Sequence, residues 1–366
     1  MARLLAATFT VLLTACTSDD GVSADTGDLR EDIDSDVVGM IRSLDGAGQP
    51  LGQLRLGGNT QDANDNGIAI TLHIPPGSIP ARGLLDGHAQ SHVPVDVVTG
   101  WDSTAQFYLT PFTQYTSGVT DGAAQISEPG VFEFAFPAGA LEYDGEPANE
   151  DLTTDIAVVD RAGTLAMPGT LNALSLDTVV EPIDLFHAIR IAPPEGEPWK
   201  LVDSATLSID IAPDDPMRNA GKLYWYWYNW EQGFWHQTSE VTIAGDVATG
   251  GIALFAWWAI GTPELPDLSC AQGRIEDNTG NPIPRAEVLI SAEGIFGTRR
   301  AYSDFQGDFC TPVPPGAEVS ANVFGVDQAL GTRFTGSASF TADPNIADCL
   351  VTCVDIGVIK TEVTSR

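Results

Sequence analysis

Short apolar segments constrain the fold of this chain more than any other feature. Most apolar runs are about four to eight residues long, rich in β-branched and aromatic side chains, and bounded by Gly, Pro, Asn or Asp. Residues 131–136 and 205–211 alternate apolar with polar side chains, which is typical of strands with one buried face. No long segment has helical periodicity. The pattern predicts an all-β protein built from tandem β-sandwiches.

A weak internal repeat divides the chain. The matching segments, in the same order, are residues 39–41 (GMI), 48–51 (GQPL) and 64–67 (NDNG), and residues 273–275 (GRI), 280–283 (GNPI) and 304–307 (DFQG). Each set reads as a strand, a Gly-Pro turn, another strand and a second glycine turn. The second set, with residues 286–288 (AEV), resembles the carboxypeptidase regulatory-like domain. That resemblance implies a transthyretin-like β-sandwich, and the first set resembles a divergent copy of it.

The middle of the chain carries a different set of segments. They are residues 136–141 (FPAGAL), 166–169 (AMPG), 223–226 (LYWY), 233–235 (GFW) and 255–258 (FAWW). This set resembles a bacterial surface-protein module that is related to cartilage intermediate layer proteins. The resemblance implies a β-rich fold and extracellular placement, without a defined chemistry. We therefore expect a β-sandwich at residues 37–120, a central β-rich domain at 121–265 and a regulatory-like sandwich at 266–366.

Acidic residues far outnumber basic ones. The chain has 50 Asp and Glu against 17 Lys and Arg, which gives a formal net charge of −33. A field of that sign repels phosphate backbones and anionic lipid head groups. We therefore expect no nucleic-acid partner.

The N-terminal segment predicts export and anchoring. Arg3 precedes an apolar run at residues 4–13, which is too short to span a bilayer as a helix. The run ends in LTAC at residues 13–16, which resembles the lipobox of bacterial lipoproteins. We expect a signal peptide at residues 1–15, a lipid anchor on Cys16 as the membrane partner, and an acidic flexible tether at residues 16–36. An ordinary secretory signal that contains a cysteine is the alternative.

The residue after the cysteine bears on the location of the protein. Lipoproteins retained in the inner membrane usually have Asp at this position, and here Thr17 occupies it. We therefore expect a lipid-anchored protein of the cell envelope, in the outer membrane.

An aromatic segment at residues 224–235 is the main candidate for ligand binding. Strand alternation places Trp225 and Trp227 on one face and three tyrosines on the other, and residues 231–233 (EQG) predict a hairpin turn. Exposed rings of Trp227, Tyr228 and Trp230 could stack on a glycan. Alternatively, the aromatic side chains fill the core and pair across strands. Since one core can hardly cover so many indoles, we expect Trp230 at the hairpin tip to be exposed.

Residues 62–67 match the first half of a calcium-binding loop. Asp62, Asn64 and Asn66 supply oxygen atoms at positions one, three and five, and Gly67 stands at position six. His73 occupies the position where such loops have a bidentate Glu, and an Asx-rich turn between strands explains the segment equally well. We expect no other cofactor. The sequence contains no nucleophile elbow, phosphate loop or dinucleotide fingerprint.

Cysteine usage points to an oxidising compartment. Besides Cys16, the chain has Cys270, Cys310, Cys349 and Cys353, all within the last predicted domain. An even number in one exported domain predicts two disulfides. Three pairings are possible; linking residues 349 and 353 to each other would add little loop entropy, so we favour bonds from Cys270 and Cys310 to that pair.

Taken as a whole, the sequence predicts a non-enzymatic envelope lipoprotein with a structural, adhesive or display role. The alternative is a carbohydrate-binding surface module that uses the aromatic cluster, with a glycan or an envelope protein as partner. An exported hydrolase is disfavoured because the sequence has no nucleophile motif and only five histidines.

Overall fold

The computed structural model describes residues 35–365, apart from residues 45–46, 160–167, 170, 264–268, 293–298, 328–331 and 343–352. The described residues form strands, turns and a 3₁₀ helix at Pro216–Asn219, and they include no α-helix. The prediction of an all-β protein of tandem sandwiches is therefore confirmed. No described helix has the length and hydropathy needed to cross a membrane. The predicted signal peptide, Cys16 and nearly all of the predicted tether lie outside the described residues.

The first sandwich comprises two sheets among the described residues up to Pro111. Its strands are β1 (Ser35–Ser43), β2 (Gln53–Leu56), β3 (Asn59–Asp62), β4 (Ile68–Ile74), β5 (Gly77–Leu84), β6 (His88–Ala89), β7 (Ser91–Val97) and β8 (Ser103–Pro111). One sheet has the order β4-β1-β8-β6 and the other has the order β3-β2-β5-β7. Alternating side chains such as Ile41, Leu54 and Phe107 are fully buried between them. β1 and β8 run parallel, from the pair Val37 and Ser103 to the pair Ser43 and Leu109.

The central sandwich contains the largest sheet. Its strands are β9 (Thr113–Ser117), β10 (Ala124–Glu128), β11 (Phe132–Phe136), β12 (Leu141–Tyr143), β13 (Glu146–Pro147), β14 (Leu152–Val159), β15 (Asn172–Leu174), β16 (Val180–Pro182), β17 (Asp184–Ala192), β18 (Trp199–Leu201), β19 (Ala205–Asp210), β20 (Tyr224–Asn229), β21 (Phe234–Glu240), β22 (Thr242–Ala244), β23 (Val247–Ile252) and β24 (Trp257–Thr262). The main sheet has the order β16-β15-β21-β20-β24-β17-β14-β9, and it packs against a sheet of order β10-β11-β19-β23-β22. A small sheet of order β13-β12-β18 completes the domain.

One predicted domain boundary needs correction. β9 lies inside the segment that we assigned to the first sandwich, but it forms an antiparallel ladder with β14 of the central sheet. The first sandwich therefore ends near Phe112 rather than at residue 120, because backbone pairing with the later strand determines where β9 belongs.

The last sandwich has two described sheets. Its strands are β25 (Ser269–Glu276), β26 (Glu287–Ala292), β27 (Arg299–Tyr302), β28 (Asp308–Val313), β29 (Glu318–Asp327), β30 (Thr332–Thr341), β31 (Val354–Lys360) and β32 (Glu362–Ser365). The sheet orders are β28-β25-β31 and β27-β26-β29-β30-β32. β25 pairs antiparallel with β28 and parallel with β31, as β1 does with β4 and β8.

The second glycine turn of the internal repeat has the same geometry in both sandwiches. Asn64 Oδ1 accepts hydrogen bonds from the backbone amides two and four residues later, at 2.9 and 3.0 Å. Asp304 Oδ1 does the same at 2.8 and 2.9 Å. Gly67 (φ +76°) and Gly307 (φ +83°) close the two turns in the left-handed region. A Cβ on either glycine would lie 2.5 or 2.6 Å from a carbonyl oxygen of the first strand, so both positions require glycine.

The first and last sandwiches pack against each other. Val38 and Met40, on the outer face of β1, form a buried apolar cluster with Phe324 and Val326 of β29. Thr104 of β8 adds a polar contact at 3.4 Å from its hydroxyl to the Phe324 carbonyl. The two outer sandwiches are therefore in direct contact, although the whole central domain separates them in sequence.

The same interface buries an ion pair. Glu287 of β26 is fully buried and contacts the guanidinium of Arg300 on β27. Glu287 Oε2 accepts a hydrogen bond from the Gln106 backbone N–H at 2.6 Å, and Arg300 Nη2 donates to the Gln106 carbonyl at 3.0 Å. The ion pair thus supplies hydrogen-bond partners for both the N–H and the carbonyl of Gln106, as the backbone of a neighbouring strand would do. Burial raises the pKa of Glu287, and Arg300 opposes that shift.

Candidate functional site

The aromatic segment forms the predicted hairpin. β20 pairs with β21, and the Gly233 N–H donates to the Asn229 carbonyl at 2.8 Å. Gly233 has φ +78°, the left-handed conformation expected at this turn. The Asn229 side chain stabilises the tip, since its Oδ1 accepts from the backbone amides of Glu231 (3.0 Å) and Gln232 (3.3 Å). The turn prediction is confirmed.

Both faces of the hairpin are covered by protein. Trp225 is fully buried between the two central sheets, and Trp227 packs against the same cluster. Tyr226, Tyr228 and Trp235 lie on the opposite face, in a second cluster that includes Ala89 of the first sandwich. The predicted alternation of faces is confirmed. One face of the hairpin therefore packs within the central sandwich, and the other also contacts the first sandwich.

The three predicted glycan contacts differ in exposure. Tyr228 is 3% exposed and packs against Trp235, with ring centroids 5.3 Å apart. Trp227 is partly buried, and its ring centroid lies 4.7 Å from that of His236. Trp230 is 39% exposed, as predicted for the hairpin tip. These three residues consequently form no open stacking platform, because only one of them is substantially exposed.

A cleft opens beside the hairpin tip, between the first and central sandwiches. Its volume is about 380 Å³, within the usual range for small-molecule sites. The described lining residues are Arg82, Gln90, His92, Arg190, Ala192, Trp227, Tyr228, Asn229, Trp230, Glu231, Leu254, Phe255, Ala256 and Trp257. The cleft thus combines aromatic walls with two guanidinium groups, two amide side chains and one carboxylate.

Arginine side chains give the cleft its electrostatic character. The Arg82 guanidinium carbon lies 3.8 Å from the centroid of the Trp230 ring, which is cation–π geometry. Burial, Arg82 and Arg190 together lower the pKa of His92 to about 3, so its imidazole is neutral at physiological pH. Burial also lowers the pKa of Arg190, although Asp155 and Glu195 oppose that shift. The cleft is a locally cationic site in a strongly acidic protein.

Sequence reasoning missed the two arginines of the cleft. Arg82 lies on β5 and Arg190 on β17, so they are far apart in the chain and belong to no motif. The scarcity of basic residues could have indicated them, because an arginine within an apolar strand is unusual in so acidic a chain.

The predicted calcium ligands take part in local hydrogen bonds. Asp62 Oδ1 accepts from the Gln53 side chain at 2.8 Å, across the pair β2 and β3. Asn64 Oδ1 already accepts two backbone hydrogen bonds in its turn. The side chains of Asp62, Asn64 and Asn66 thus lie in and beside an Asx turn, which is the second interpretation given for this segment.

Disulfide chemistry is present in the last sandwich. Cys270 of β25 is bonded to Cys353, at a sequence separation of 83. Cys310 is also disulfide-bonded, and its Sγ lies 3.2 Å from that of Cys353. Cys349 lies outside the described residues. The three described Sγ atoms lie within 4.8 Å of one another, and because they are oxidised they are not metal ligands.

Comparisons with known proteins identify no family for this chain. No family model and no curated protein sequence matches it. The resemblances of residues 273–309 and of the middle segments therefore remain predictions.

Several solved structures match most of this chain, at TM-scores of 0.20 or below. The Bacillus anthracis TIE protein matches at 11% identity and a TM-score of 0.20, over 89% of this chain and 50% of that chain. This chain thus spans half the length of that protein. The major pilin subunit BcpA of Bacillus cereus matches at 8% identity and a TM-score of 0.20, over 90% and 99% of the two chains. The major pilin SpaD of Corynebacterium diphtheriae matches at 9% identity and a TM-score of 0.19, over 90% and 97%. Likeness at this level assigns no function.

Proposed function

We propose that this protein is a non-enzymatic lipoprotein of the bacterial cell envelope with a structural or adhesive role. The observation that carries the proposal is the use of the aromatic strand β20 for packing on both faces. Side chains that could have formed an exposed reactive or stacking surface instead pack between the two central sheets on one face and, together with Ala89 of the first sandwich, in a second cluster on the other. Together with the buried contact between the outer sandwiches, this arrangement favours a rigid spacer or display unit over an enzyme.

Two features support placement outside the cytoplasm. The disulfide Cys270–Cys353 is typical of oxidising compartments. The segment LTAC at residues 13–16 supplies a cysteine for lipid attachment, and the acidic residues that follow would keep the sandwiches at a distance from the membrane surface.

Anchoring is tested by mass spectrometry of fractionated cells. We expect the mature wild type to begin at a lipid-modified Cys16, and Cys16→Ala to abolish this processing. Thr17→Asp is the matched control, which should keep the lipid but move the protein to the inner membrane. An unmodified Cys16 in the mature wild type contradicts the proposal.

The structural or adhesive role is tested on whole cells. A strain without the protein should lose surface attachment or envelope integrity, and the anchored wild type should restore it while Cys16→Ala should not. Unchanged attachment and integrity in the strain without the protein would refute the role.

Saccharide binding is the second candidate function. The exposed Trp230 and the adjoining cleft favour it, since an aromatic side chain and polar groups meet there. A glycan array with the lipid-free chain tests it, with Trp230→Ala as the comparison. Equal signals from the two proteins would exclude the hairpin tip as the contact.

A further inference from the structure

We propose that the cleft beside the hairpin tip binds an acidic saccharide, with Arg82 and Arg190 holding its carboxylate. This inference rests on the second candidate function, saccharide binding, and names the class of sugar. It follows from the two guanidinium groups of the cleft, which have an unusual environment for this chain.

Neither arginine forms a direct ion pair with a described residue, although the carboxylates of Glu195, Glu231 and Asp155 lie close enough to act on one or both of them. Among the residues that the structure describes, neither the Arg82 nor the Arg190 guanidinium forms an ion pair or a hydrogen bond. Acidic groups outnumber basic ones by 50 to 17, so an arginine could readily find a carboxylate partner. Arg55 lies opposite Arg82 in the ladder between β2 and β5, and it has such a partner. Its Nη1 lies 3.4 Å from Glu195 Oε1. Two partly buried guanidinium groups that face one cavity without a direct ion pair leave their hydrogen-bond donors open to an anionic ligand.

The geometry favours a carboxylate as this anion. Guanidinium groups bind carboxylates through paired, planar hydrogen bonds. Trp230 stacks on Arg82 and so orients its guanidinium at the wall of the cleft. His92 lies in the same wall, neutral, and its Nδ1 is buried without a hydrogen-bond partner. The His92 ring therefore adds a polar atom that has no hydrogen-bond partner among the described residues.

The remaining lining fits a sugar ring. Trp227 and Phe255 provide apolar surface for the C–H face of a pyranose. Gln90 and Glu231 provide amide and carboxylate groups for hydroxyls, which need both donors and acceptors. A cavity of about 380 Å³ has room for one or a few such rings.

Calorimetric titration of the lipid-free full chain tests the proposal, with glucuronate, glucose and acetate as probes. Glucuronate and glucose differ only at the carboxylate, and acetate carries the carboxylate without the ring. We expect glucuronate to bind more tightly than either by about tenfold or more, since each charged hydrogen bond contributes on this scale.

Arginine variants locate the binding. Arg82→Gln and Arg190→Gln should each weaken glucuronate binding by about tenfold or more. Arg55→Gln removes the same charge from the neighbouring strand outside the cleft and should weaken glucuronate binding less than Arg82→Gln does, because Arg55 does not line the cleft. Thermal melts show whether each variant is folded. If Arg190→Gln does not fold, Arg82→Gln still tests the proposal, because Arg82 lies at the rim of the cleft.

The possible results separate the two claims. Equal binding of glucose and glucuronate would overturn the acidic specificity and leave saccharide binding intact. Failure of both sugars to bind would overturn both. Acetate binding as tight as glucuronate, or equal losses in Arg55→Gln and Arg82→Gln, would also overturn the proposal, because the ring or the cleft would then be irrelevant.

Discussion

Neutralising Glu287 should destabilise the protein more than any surface charge change. In Glu287→Gln the side chain keeps its shape and an oxygen that can accept from the Gln106 amide. Arg300, whose side chain is 3% exposed, would remain as a buried cation without its counter-ion. Removing one partner of a buried pair costs about 3–5 kcal/mol, and we expect a loss of unfolding free energy in that range.

A surface ion pair in the same domain provides the control. Glu276 Oε2 lies 2.5 Å from Lys360 Nζ; the glutamate side chain is 16% exposed and the lysine side chain 52%, so solvent reaches the pair from the lysine side. Glu276→Gln removes the same charge and should cost only about 0–1 kcal/mol, because solvent screens this pair. Replacing both buried partners, as Glu287→Leu with Arg300→Met, should restore much of the stability, since no charge is then left unpaired.

Urea denaturation followed by tryptophan fluorescence measures these differences. Amide hydrogen exchange adds a local readout, because the Gln106 N–H that donates to Glu287 should exchange faster in Glu287→Gln than in the wild type. A loss below about 1 kcal/mol for Glu287→Gln, or a loss equal to that of Glu276→Gln, would refute the argument that this pair holds the outer sandwiches together.

Other perturbations test the hairpin, the cleft and the disulfide. Trp225→Ala should cost about 3–5 kcal/mol in urea denaturation, and the exposed Trp230→Ala less than about 1 kcal/mol; equal losses would contradict the packing role of the hairpin. His92 has its pKa lowered to about 3, so its contribution to stability is present above the unfolded value of about 6.5 and is lost as the pH falls toward 3. Melting temperatures between pH 7 and 4 should therefore fall less steeply in His92→Gln than in the wild type, and identical slopes would speak against a neutral buried imidazole. Cys270→Ser with Cys353→Ser should cost about 2–4 kcal/mol in the last sandwich, and non-reducing peptide maps that lack the linked peptide would exclude the bond.

Local patterns predicted the features that depend on neighbouring residues. Alternation along β20 placed Trp225 and Tyr226 on opposite faces, because side chains of a strand alternate with a period of two. The Gly233 turn and the exposed Trp230 followed from the short loop between two aromatic runs. The repeated Asx turns were visible as residues 64–67 and 304–307, since their geometry depends on four adjacent residues.

Contacts between distant segments were beyond such patterns. Glu287 and Gln106 are 181 residues apart, and nothing near either residue indicates the other. The cleft combines Arg82 of one sandwich with Arg190 of another, and whether either forms a direct ion pair depends on the full three-dimensional arrangement. β9 was placed in the wrong domain for the same reason, because its partner strand begins only at Leu152.

The contact between the outer sandwiches has a consequence for the order of events during synthesis. Val38 and Met40 are made early, but the side chains that cover them belong to β29, and the hydrogen bond from Thr104 to Phe324 spans 220 residues. Until β29 has been made and folded, the nascent first sandwich carries a bare apolar face. Such long-range contacts slow folding and leave intermediates prone to aggregation. We therefore expect the newly made chain to be most prone to aggregation in the interval between the synthesis of β1 and that of β29.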